Sequence, residues 1–153
     1  MVAAFLALTV FFLVGLPVLI FAGLVLNGFV HAGKWDDDPK NWERAFGQPL
    51  PQEVQVIHST YWRSPHFTLE QDFAFQLHAP PAFATEWAGP YKMRDSGPND
   101  DGHVQRLKEG FPKWFLPKPP SAYHGWLPVG EPYSKFALFV DKDTGDLFCT
   151  YGQ

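Results

Sequence analysis

No Lys, Arg, Asp or Glu precedes Lys34, and from Ala3 to Asn27 the chain is apolar apart from Thr9 and the closing Asn. Crossing a hydrocarbon core of about 30 Å takes roughly 20 residues at 1.5 Å each. A backbone in lipid must satisfy its own hydrogen bonds, so the run predicts a single membrane-spanning helix. The run is longer than the 7–15 residues typical of a signal-peptide core, and no basic residue precedes it, which points to a retained anchor rather than a cleaved leader. No ionisable side chain lies inside the span, which argues against an ion pathway or a proton relay through it.

The formal net charge of -4 belongs entirely to the remainder of the chain. With 16 acids interspersed among 12 bases, that remainder lacks the basic stripe that nucleic acid requires and the polybasic patch that anionic lipid requires. Lys34, Lys40 and Arg44 follow the helix, and the positive-inside rule would keep the C-terminal domain cytoplasmic. Chains with one N-terminal anchor more often export the domain that follows. The extracytoplasmic side is the reading adopted. The single cysteine, Cys149, cannot form an internal disulfide and fits either compartment.

Within the anchor, Pro17 removes a backbone donor at mid-span. Ala3, Ala7, Gly15, Ala22 and Gly23 are small enough to let a neighbouring helix approach closely, which makes them helix-packing candidates. Beyond it, Asp38-Pro39 reads as a helix start and Gly47 as a stop. Trp42 and Phe46 then fall one turn apart on a face that, with Trp35, would rest at the bilayer interface. The division expected is residues 1–33 as anchor, 34–53 as juxtamembrane interfacial helix and linker, and 54–153 as one small domain.

In that domain, Val54–Trp62 reads as a strand by its β-branched and aromatic content. Phe73, Phe75 and Leu77 alternate as in a half-buried strand. Short helices are expected over 82–88 and 103–109, and a polar loop over 93–102. The Pro-dense stretch from Phe111 to Pro120 suggests polyproline II, laid as a strap across the sheet. Apolar runs at 136–140 and 147–151 around a Gly-containing turn give the clearest hairpin. The fold class expected is therefore α+β: one N-terminal transmembrane helix, then a small antiparallel-sheet domain with two short helices and a Pro-rich strap.

Motifs for chemistry are weak. Asp141, Asp143 and Asp146 start like a calcium loop, but Gly145 comes one position early and Gly152 stands where the closing Glu belongs. His31, His58, His66, His78, His103 and His124 show no i, i+4 ligand spacing. Neither Ser59 nor Ser64 sits in a G-x-S-x-G elbow, and Cys149 lies in a run that reads as buried strand. No catalytic, cofactor-binding or metal residues are assigned, no cofactor is expected, and the chain is read as a non-enzyme.

Six Trp and fifteen Phe leave an aromatic surplus, and exposed aromatics anchor protein contacts. Trp35, Trp42, Phe46, Trp114, Phe115 and Trp126 are the interface candidates. The functional expectation is a single-span accessory or structural subunit that docks on a larger integral membrane complex, an energy-transducing one being a candidate host. Its partners would be integral membrane subunits and the lipid bilayer, with no nucleic acid and no small-molecule substrate. The alternative is a membrane-tethered module that recognises a soluble protein or peptide. A membrane-anchored enzyme ranks third.

Overall fold

The computed structural model describes residues 8–30, 32–65, 70–89, 93–95, 104–105, 110–129 and 136–152. The chain divides into two compact units, Met1–Gly33 with Arg63–Glu70, and Lys34–Trp62 with Gln71–Gln153.

In the first unit, a π-helical turn at Phe11–Gly15 leads into helix α1, Leu16–Val30. Pro17 explains the turn: it has no N–H, and its ring would strike the carbonyl four residues back. The helix answers by widening, so that the Leu16 N–H bonds the Phe11 carbonyl, a five-residue step. Leu8–Leu26 is long and apolar enough to cross a membrane by length and composition.

The second unit is built on a seven-stranded sheet in the order β1-β2-β3-β7-β6-β5-β4. Its strands are β1 Gly33–Asp36, β2 Gln55–Arg63, β3 Gln71–His78, β4 Met93–Asp95, β5 Tyr123–Pro128, β6 Ala137–Asp141 and β7 Leu147–Gly152. The central register is antiparallel and sets Cys149 between Phe75 of β3 and Leu138 of β6. Side-chain alternation along β3 then divides the core. Phe73, Phe75 and Leu77 face one layer, while Ala74 faces the other.

The first layer is covered by α2 (Asn41–Phe46) and α3 (Pro81–Ala88), through Trp42, Phe46, Ala84 and Trp87. Phe115 and Leu116 fill the second layer against Phe139 and Phe148. Cover on both faces is why β6 and β7 read as continuous apolar runs rather than alternating ones. Between Pro112 and Leu116 the chain turns instead of continuing as polyproline II: Phe115 N–H bonds the Pro112 carbonyl, and Leu116 takes a left-handed φ of 48°. Full burial of the Leu116 side chain, at 0% exposure, offsets the cost of that backbone, about 1–2 kcal/mol.

Residues 34–53 supply most of an edge strand and a core helix, with Trp42 at 2% exposure. The reason is geometric. Trp42 and Phe46 share a face as expected, but Phe73, Phe75 and Trp87 offer that face a closer apolar surface, with ring centroids 5.0–5.7 Å away for the nearest pairs. Met93–Asp95 forms a strand where a loop was expected. Most of the helix expected at 103–109 and residues 96–103 lie outside the described residues.

Candidate functional site

Where β1 stops shapes a groove on the domain. Asp37 adopts φ 51°, a conformation that Asp tolerates better than most residues. Its N–H bonds the Ser59 carbonyl at 2.8 Å, and its carboxylate accepts the Ser59 N–H at 2.8 Å. The side chain thus takes the place of a backbone acceptor, closes the ladder and releases the chain from the sheet. Asp38 then accepts the Lys40 N–H and the Arg44 guanidinium at 3.1 Å, which hold its carboxyl below the ordinary range.

Asn41, fully buried, fixes α2 in place. Its amide donates to the Trp35 carbonyl and to Ser59 Oγ, both at 3.0 Å, and its Oδ1 accepts from Arg44 at 2.8 Å. The same Arg44 lies 4.6 Å over the Trp35 ring. Every polar atom of the Asn41 side chain is used, as burial requires.

Pairing with Ser59 at the end of β1 leaves Gln55–Ile57 of β2 running past β1, their only strand neighbour on that side among the described residues. Beside them lies a groove of about 420 Å³ lined by Asp37, Asp38, Trp42, Leu50, Val54, Val56, Ile57 and Phe75, among others. Its volume falls in the range of ligand-binding clefts. Leu50 and Ile57 remain 37% and 39% exposed at its mouth. The indole Nε1 of Trp42 is buried with no hydrogen-bond partner among the described residues.

The Asp-rich turn holds an ammonium group. Lys118 Nζ donates to Asp141 at 2.8 and 2.9 Å and to Asp143 at 2.8 Å, while Asp146 binds Gln76 and His78 instead. Burial acts to raise the Asp141 carboxyl, but the Lys118 ammonium and the Asp143 and Thr144 amides outweigh it and hold the group below its usual value. Lys118 is raised in turn by both carboxylates. No group of three or more His, Cys, Asp or Glu is placed to hold a metal ion among the described residues.

The remaining residues singled out by sequence fall as follows. Trp42 and Phe115 are core residues, and Phe46 packs against that core. Trp35, Trp114 and Trp126 stay half-buried, Trp114 stacked 5.5 Å from His58 and Trp126 edge-on to His124 at 4.4 Å. His58 and His78 do not form a pair; each turns to its own aspartate, Asp37 and Asp146. Burial pushes the Cys149 thiol up, which makes it a packing residue. In the N-terminal helix, a Cβ on Gly15 would lie 3.1 Å from the Phe11 ring, while one on Gly23 would meet nothing within 4 Å among the described residues. Ala22 is likewise exposed, and Ala3 and Ala7 lie outside the described residues. Asn41 and Asp37 carried no sequence signal for these roles, since an Asn or Asp near a helix start reads first as a cap. No family model, no curated protein and no solved structure matches the chain.

Proposed function

We propose that the protein is a single-span accessory subunit of a larger integral membrane complex, without catalysis of its own. The observation that carries this reading is the helix over Leu8–Leu26, none of which is buried by the rest of the chain. Its Leu, Ile, Phe and Val side chains other than Val25 stand 38–73% exposed. Surface of that extent needs lipid and neighbouring helices to cover it. The open ridge at Ala22 and Gly23 is where a neighbour's backbone approaches. The domain is placed on the extracytoplasmic side, and the Pro-rich segment serves as a strap over its sheet, held by Phe115, Leu116 and Lys118.

Native membranes solubilised in mild detergent and purified through a C-terminal tag test this by native mass spectrometry. An assembly of fixed stoichiometry with integral partners is expected. A lone monomer or homodimer overturns the reading. The groove beside β2 favours a second one, a membrane-tethered module that recognises a soluble protein or peptide.

A further inference from the structure

We propose that the groove beside β2 receives an extended, basic peptide segment of a partner protein, which adds to the sheet as a strand in line with β1. The inference extends the accessory-subunit reading without resting on it, since it needs only the folded domain.

Three observations converge on strand addition. Asp37 ends the β1 ladder at Ser59 with its own carboxylate, so the outer edge of Gln55–Ile57 lies beyond β1 while still belonging to a nine-residue strand. An unpaired strand edge is a template for another chain. At about 3.4 Å per residue, the exposed stretch offers roughly 10 Å of backbone.

The surface next to that edge is apolar and concave: Val54, Val56, Trp42 and Phe75 form its walls, with Leu50 and Ile57 at the mouth. An added strand points alternate side chains to opposite faces, so every second residue of the guest would enter the groove. The charged residues lining it are Asp37 and Asp38, with no Lys or Arg among them. The Asp37 side chain is 55% exposed. Asp38 is already paired with Arg44, so a Lys or Arg at one end of the guest would complement the exposed Asp37 carboxylate and set the direction of entry.

The test uses the full-length protein in detergent micelles and a phage library displaying random dodecapeptides. Enriched peptides are expected to alternate β-branched or aromatic residues with polar ones and to carry Lys or Arg near one end. Affinity of a synthetic copy should fall at least about tenfold in Leu50→Lys, a mouth substitution that leaves the melting temperature unchanged. N-methylation of the copy should abolish binding at alternate amides and be tolerated at those between, the mark of one hydrogen-bonded edge.

Failure to enrich any peptide over a parallel selection on Leu50→Lys overturns the proposal. Binding that is indifferent to N-methylation does the same, because it places the guest in the groove by side chains alone. Self-association that Ile57→Lys dissolves also overturns it, by giving the edge to a second copy of this chain.

Discussion

At Gly145 the backbone φ is 77°, and the Gly145 N–H bonds the Asp141 carbonyl while Asp141 N–H bonds the Asp146 carbonyl. A side chain there costs about 1–2 kcal/mol in the left-handed region. Gly145→Ala should therefore lower unfolding free energy by about 1 kcal/mol in a urea titration, and Gly145→Asn by less. The neighbouring clasp makes a pH prediction. Asp141 titrates below its usual 3.8, so its stabilisation is complete above that value and is lost as pH falls through the lower folded value. Lys118, raised above 10.5, contributes fully below 10.5 and loses its share as pH rises towards its folded value. Asp141→Asn should be less stable than the parent at pH 7, and the gap should close as pH falls from 3.8 through the lower folded value, as read by thermal melts across pH. The turn was legible in sequence because Asp and Gly are what such turns demand. Its charge partner was not, since Lys118 lies 23 residues away and reaches Asp141 only through the tertiary fold.

Among the elements, strands with a strong period were legible, and strands that are very short or broken by Gly and Pro were not. β3 alternates Phe73, Phe75 and Leu77 to one side, and the β6–β7 hairpin pairs Val140 with Leu147 and Phe139 with Phe148, as their apolar runs imply. β1 is four residues, one of them Gly33. β5 contains Gly125 and ends on Pro128. Neither offers enough pattern for a period-two signal, and both exist because a neighbouring strand presents a ladder to them. The helix at Asn41–Phe46 was legible at its Gly47 end, began later than the Asp38-Pro39 start expected, with Lys40 at its N-cap, and was illegible in its destination. Periodicity says which residues share a face, but the Phe75 and Trp87 rings that receive that face are 33 and 45 residues further along the chain. Asn41 holds it there through the Trp35 carbonyl and Ser59. Asn41→Ala should cost about 1–3 kcal/mol in denaturant, because it leaves a buried carbonyl and a buried hydroxyl without their donor. Asn41→Asp should not rescue it, since the carboxylate supplies no N–H to either acceptor.

At the scale of the whole molecule, the two units present their apolar surface differently. The sheet domain buries its own: Phe75, Phe115, Phe139 and Phe148 are all below 2% or at 2% exposure, so most of the aromatic surplus read from composition is internal packing. No residue of the helix over Leu8–Leu26 is buried within the chain, and in the proposed accessory-subunit reading that is where partners would make contact. The small residues of the helix are not equivalent. Gly15 is shielded by the ring of Phe11, so a bulky residue at that position would collide with its own helix and report on local strain. Gly23 has open space around it, and a side chain added there would meet only what comes from outside. Gly23→Ile is therefore the informative substitution. It should reduce recovery of integral partners with the tagged chain severalfold, because close backbone approach in a membrane depends on small residues at the contact. The amount of the chain extracted from membranes by detergent should stay the same, since Ile is at least as favourable as Gly in hydrocarbon. Equal recovery of partners with the Ile variant would move the contact off this ridge, to another face of the helix or to the domain.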